Sequence, residues 1–332
     1  MTKNNDTDYL YLTMVIRAKE AALLTGEQAD RMTEAKTDEE AVRILEECGY
    51  EGLAGLDAVA LDKRLVSHLD GIRGEVRRFC PEPRLVDIFQ LKYDYHNAKV
   101  LIKAQAASVD GARLMSGGGR FDAVVLEEAY YQDSFSAFPE AFAKAVMEAR
   151  DVLSRTKDAQ RADIVLDKAY FMEMTAMADS LDSDFFKGYV RLSIDSANLR
   201  TAVRAKRMNL DYDLLEEALM DGGNTIARSV AAAIRQAEPL LPLYAGSPLY
   251  AAAAAADDAI SGGRLTRLEK LCDNALAGYL QAARRISFGQ APIIAYLAAV
   301  EAEAATIRII MVSRAAGLAP DQIRERLRDS YV

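Results

Sequence analysis

After Pro292 the apolar residues Ile293, Leu297, Val300, Ala304, Ile307 and Met311 recur at alternating steps of four and three. That spacing makes one apolar stripe on a helix, with Glu301, Glu303 and Arg308 lying off it. Similar segments rich in Ala, Leu, Glu, Lys and Arg fill most of the chain, and alternating runs of Val, Ile and Thr are nearly absent. The pattern predicts an all-α protein. Turn residues punctuate it at Pro81 and Pro83, Gly117 to Gly119, Gly222 and Gly223, Pro239 to Pro248, and Gly262 and Gly263. At Gly117 to Gly119 the expectation is a helix C-terminal cap followed by a loop.

The stripe pattern repeats at long range. The string from Asp94 to Ala104 and the string from Asp195 to Ala205 share Asp94 with Asp195, Asn97 with Asn198, Lys99 with Arg200 and Lys103 with Arg204 at identical offsets. Weaker relatives run from Asp8 to Ala18 and from Glu303 to Ser313. A second element, Leu61-Asp62-Lys63, Leu166-Asp167-Lys168 and Leu268-Glu269-Lys270, precedes the later strings at similar distances, and Leu114 to Gly118 matches Leu219 to Gly223 after them. These strings keep one order, which predicts three helical units of roughly 85 to 110 residues, too long for a short-repeat solenoid. The expected boundaries are 1–108, 109–214 and 215–332.

The basic residues of the strings suggest a role. Arg200, Arg204 and Arg207 fall on one helix face, as Lys99 and Lys103 do in the earlier copy. One reading pairs them inside the protein with Asp62, Asp167 and Glu269 of the preceding helices. The other leaves a basic face to dock an acidic partner. Asp94, Asn97, Asp195, Asn198, Glu301, Glu303 and Arg308 complete the candidate polar positions.

Composition narrows the function classes. With 51% hydrophobic residues in 332 the chain can bury a core, and 41 Lys and Arg against 50 Asp and Glu give a net charge of −9. That balance argues against nucleic acid, whose affinity comes largely from neutralised phosphates. Three scattered cysteines, Cys48, Cys80 and Cys272, suit a reducing setting rather than a disulfide framework. The apolar runs end well short of a spanning helix, and the first residues lack the pattern of a secretory signal.

Catalytic signatures are missing. His68 and His96 have no metal-ligand spacing around them, there is no phosphate-binding glycine loop or nucleophile elbow, and Asp182 with Asp184, or Asp257 with Asp258, read as turns. No cofactor is expected.

The ordered strings carry a family likeness. The D-x-x-N helices at Asp94 and Asp195, the Leu166 to Phe171 segment, and the run from Phe288-Gly289 through Pro292 to Leu297, Glu301, Glu303 and Ile307 to Ile310 are its main parts. With Gly317-Leu318 and Ile323 to Arg328 before Tyr331-Val332, the chain resembles the C subunit of the V/A-type rotary ATPases, related to the d subunit of the eukaryotic vacuolar enzyme. The likeness spans essentially the whole chain. It implies a funnel of three similar helical domains around a pseudo-threefold axis, a non-catalytic part of the central rotor between the axle of the D and F subunits and the membrane proteolipid ring. It also implies a place on the cytoplasmic face of the membrane, held through the complex rather than by direct lipid contact. Tyr11 and Thr13 depart from the pattern in the first string, and Ala302 and Ala305 dilute it in the last. A helical adaptor outside any rotary ATPase would explain the same repeats. An all-helical isoprenoid enzyme would require carboxylates clustered around one cavity.

Overall fold

The computed structural model describes residues 5–332, and every regular element among them is helical. In chain order the helices are α1 (Leu10–Glu20), α2 (Gly26–Glu34), α3 (Asp38–Glu47), α4 (Ala58–Phe79) and α5 (Arg84–Ala107). There follow α6 (Ala123–Gln132), α7 (Glu140–Thr156), α8 (Ala159–Leu181), α9 (Asp184–Arg207) and α10 (Tyr212–Ala218). The last are α11 (Ala227–Gln236), α12 (Tyr250–Ile260), α13 (Leu265–Gln281), α14 (Gln290–Ala315) and α15 (Pro320–Arg324).

Short polar side chains start many of them. Thr25 accepts from the Gln28 amide while Gln28 reaches back to the Thr25 amide, a reciprocal cap for α2. Asp57, Asp122, Asp158 and Ser183 cap α4, α6, α8 and α9 by accepting amides of the first turn. The long helices join through tight turns. Pro81 and Pro83 separate α4 from α5, and left-handed Asp182 followed by Ser183 separates α8 from α9.

The helix after Pro292 differs from its sequence reading. From Ala291 to Val300 every residue of α14 is buried, so this half carries no polar face. The reason is its position: α14 packs against α1, α2, α4, α5, α9, α13 and α15, and a helix enclosed on all sides is apolar all round. A helix this close-packed makes a stiff axis for the elements around it.

Helix partners bring distant segments together. The α5 helix packs on α7 and α8, α9 on α11, α12 and α13, and α14 on α1, α2 and α4. In the last case the two ends of the chain share one bundle. Buried apolar residues fall into two clusters. One joins α1 to α8, the first half of α9, α14 and the C-terminal residues, with Met220 added, and the other draws the remaining residues between Leu192 and Cys272.

Candidate functional site

The Asp and Asn of the repeated strings are buried on α5 and α9, and each holds the loop that follows its own helix. Asn97 donates its side-chain amide to the Ser116 carbonyl at 2.9 Å and accepts the Ser116 N–H at 2.8 Å. Asn198 makes the same two bonds with Met220, at 2.7 and 2.8 Å. Further along each loop the carboxylate takes over. Asp94 accepts the Arg120 N–H at 2.9 Å and Asp195 accepts those of Asn224 and Thr225 at 3.0 and 2.9 Å. On α14, Glu303 does the related job for the turn into α2, accepting the Leu24 N–H at 2.5 Å and the Tyr50 hydroxyl at 2.9 Å.

The glycines of these loops are therefore not helix caps. The α5 helix ends at Ala107 with left-handed Ser108, before Gly117 begins. Gly119 and Gly223 pass so close to the acids that a Cβ would come within 2.4 Å of Asp94 Oδ1 and 2.2 Å of Asp195 Oδ1. Gly118 and Gly222 adopt positive φ of 82° and 99°. These bonds also correct the register of the repeat. Ser116 stands opposite Met220 and Gly119 opposite Gly223, one residue away from the match read along the chain.

Burial sets the titration of the three acids. Desolvation pushes Asp94 up to about 6 against the opposing pull of Arg120, whose Nε donates to it at 2.6 Å. Asp195 is raised by the same cause and relieved only by amides. Glu303 has amide and hydroxyl donors but no cation on it, and burial raises it to about 7.

The basic positions are paired, with an order the sequence did not suggest. Lys99 meets Asp167 at 2.5 Å, Lys103 meets Asp163 at 2.5 Å, Arg204 meets Glu269 at 2.6 Å, and the Nε of Arg308 meets Asp62 at 2.7 Å. Each acid of the second element thus pairs with the string before it in the chain rather than the string after it, and Asp62 closes the cycle with Arg308. The helix contacts explain this, since α5 packs along α8, α9 along α13 and α14 along α4. Arg200 meets Asp273 at 2.5 Å, and Arg207 donates to the Gly263 carbonyl at 2.7 Å.

Sequence reasoning missed the partners of Glu301. It accepts Arg73 of α4 at 2.6 Å and Lys92 of α5, so one carboxylate of α14 ties two neighbouring helices. Arg73 is only 5% exposed, against 44% for Lys92. Both lie over the ring of Tyr93. Burial, with the charge of Glu301 nearby, raises the hydroxyls of Tyr170 and Tyr189. Arg73, Lys92, Tyr93 and Tyr189 belong to no repeated string, so no sequence signal marked them; Tyr170 entered only as part of the Leu166 to Phe171 segment.

The remaining candidates have ordinary roles. His96 Nε2 lies 3.2 Å from the Leu114 carbonyl. Asp257 and Asp258, read as a turn, lie inside α12, where Asp257 accepts the Leu240 and Leu241 amides; Asp182 sits in the turn between α8 and α9, and Asp184 opens α9. Among the described residues no group of His, Cys, Asp and Glu is arranged to hold a metal, and no helix is long and apolar enough to cross a membrane.

Comparison with known proteins decides the family. The family model described as ATP synthase (C/AC39) subunit matches residues 12–326. The chain belongs to this family. It is 21% identical to the C subunit of the V-type sodium ATPase of Enterococcus hirae, over 98% of this chain and 99% of that protein. It is 24% identical to the C subunit of the V-type ATP synthase of Thermus thermophilus, covering 96% and 98% of the two chains. The C subunit of the A-type ATP synthase of Methanocaldococcus jannaschii is also 24% identical, over 96% of this chain and 86% of that one. Every helix that carries a clamp or ion pair described above lies largely within the matched span of this family.

Proposed function

We propose that this chain is the non-catalytic coupling subunit of a V/A-type rotary ATPase, seated between the central axle of the D and F subunits and the membrane proteolipid ring. The observation that carries the reading is the family match over nearly the whole chain, with relatives named as C subunits that are covered almost end to end. In this role ATP turnover in the head and H⁺ or Na⁺ movement at the ring are linked by torque passing through a body that does no chemistry itself. Densely packed helices suit that task because well-packed interiors transmit strain.

The expected three-unit funnel has support in the contacts. The units read from sequence as 1–108, 109–214 and 215–332 would close in space as α5 to α8, α9 to α13, and α14 with α1 to α4. The cyclic ion pairs Lys99–Asp167, Arg204–Glu269 and Arg308–Asp62 favour that closure. Location would be the cytoplasmic face, through the complex.

Capture assays test this. Tagged full-length chain should retain both the D–F pair and the detergent-solubilised ring, each prepared separately. Failure to retain either, with all components folded, would overturn the proposal. A net charge of −9 gives no attraction to anionic lipid, so liposomes carrying the ring should float the protein and bare anionic liposomes should not.

A further inference from the structure

Most buried apolar residues from Leu192 to Cys272 form a core of their own, beside the one that unites the rest of the chain; Ile194 and Met220 are the exceptions and belong to the larger core. Two helices run from one core to the other. On α9, Phe186 and Val190 belong to the larger core while Leu199 and Val203 belong to the smaller. On α13, Leu280 and Cys272 divide in the same way. At the root of this pair the Tyr279 hydroxyl donates to the Phe185 carbonyl at 2.8 Å, over Gly188, where a Cβ would sit 2.1 Å from that hydroxyl. The lobe α10 to α12 with the distal parts of α9 and α13 therefore hangs mainly on a two-helix stem, with Met220 of the α10–α11 loop as one further apolar contact with the body.

What fastens the flank of this lobe is the last stretch of the chain. Ile323, Leu327 and Tyr331 are buried in the larger core, and the Tyr331 hydroxyl donates to Glu20 at 3.0 Å, so the tail is anchored to the body. Its polar groups then reach across to α13 and to Arg264 just before it. Arg328 Nε meets Asp273 at 2.9 Å, the Asp329 N–H donates to Asn274 Oδ1 at 3.0 Å, and Glu325 meets Arg264 at 2.9 Å. On the opposite flank the exposed pair Arg161–Glu217, at 2.7 Å, joins α8 to α10. The half-buried Arg328–Asp273 pair, the exposed Arg264–Glu325 pair and single amide bonds are individually weak, and they can release without disturbing either core.

We propose that residues Glu325 to Val332 are a releasable latch, and that the lobe built on the smaller core swings on its α9–α13 stem when the latch lets go. The device makes this lobe compliant while the body around α14 stays rigid. It rests on the packing alone and holds whether or not the rotary reading does.

Pulsed electron-spin distance measurement on the full-length chain tests it. One label replaces exposed Arg228 on the lobe (Arg228→Cys) and the other exposed Glu46 on the body (Glu46→Cys), the three native cysteines being buried. The latch is weakened by Arg328→Gln alone, and by Arg328→Gln with Asn274→Ala and Arg264→Gln. The expected result is a second, displaced distance population that grows from the unaltered latch to the single to the triple variant. A label pair inside the lobe, Asp213→Cys with Arg228→Cys, and one inside the body, Glu46→Cys with Asp151→Cys, should not change. An identical lobe-to-body distribution in all three proteins would overturn the proposal, and so would equal broadening of the internal pairs, which would signal unfolding rather than swinging.

Discussion

Asn198 shows how much one side chain can organise. It is buried and satisfies both backbone groups of Met220, so Asn198→Ala leaves an amide and a carbonyl without partners. Each such loss costs about 1–3 kcal/mol, so the variant should lose about 2–4 kcal/mol of unfolding free energy in urea titration. Gly223→Ala should be comparably harmful, because its Cβ would displace an Asp195 carboxylate already fixed by two amides. Glu303 gives a pH dependence with a definite sign. Its folded-state pKa is raised from 4.5 to about 7 by burial, so the native state binds the extra proton between those values. Its contribution is therefore fully present below about pH 4.5 and is lost as pH rises through 7, by as much as about 3 kcal/mol. Glu303→Gln, which is neutral throughout, should raise the melting temperature at pH 8 and flatten the profile between pH 4.5 and 7. A variant with the same profile as the parent would remove Glu303 as the cause. The acids and asparagines were legible as a repeated string. Their loop partners were read one residue out of register, because the loops differ in length and only the hydrogen bonds align them.

Between helices, the decisive quantity is how far each ion pair is withdrawn from water. Asp62 and Arg308 are both close to half exposed, so neutralising either should change stability by less than about 1 kcal/mol. Arg73 is different, because its guanidinium is almost wholly buried between Asp70, Glu301 and the Gly118 carbonyl. Arg73→Met strands those acceptors and should cost about 3–5 kcal/mol, measured by the same titration. Equal effects of Arg73→Met and Asp62→Asn would contradict the ranking. Helix type could be read from composition and spacing alone, whereas the pairing of helices could not. Asp62 lies near the Asp94 string in sequence, and nothing local shows that α4 packs on α14 instead. The stripe on α14 misled for a related reason: Glu301 and Glu303 look like a solvent face until Arg73, Lys92, Leu24 and Tyr50 are seen to meet them.

For the molecule as a whole, the consequence is that chain order and packing order differ by one helix. Segment 1–108 contains the Asp62 element and the Asp94 string, but α1, α2 and α4 bury their apolar faces on α14, and Asp94 and Asn97 hold a loop beyond residue 108. Expressed alone, 1–108 should therefore show little cooperative structure by circular dichroism, and a peptide of residues 286–332 should restore it by supplying α14 and the tail. Segment 184–281 is the contrasting case. It holds α9 to α13 and every residue of the smaller core, and its clamp is internal, with Asp195 and Asn198 binding Met220, Asn224 and Thr225. It should melt as a cooperative unit, less stable than the full chain because Phe186, Val190 and Leu280 lose their neighbours in the larger core. A folded 1–108 with an unfolded 184–281 would mean that the sequence strings, and not the two apolar cores, mark the units that fold.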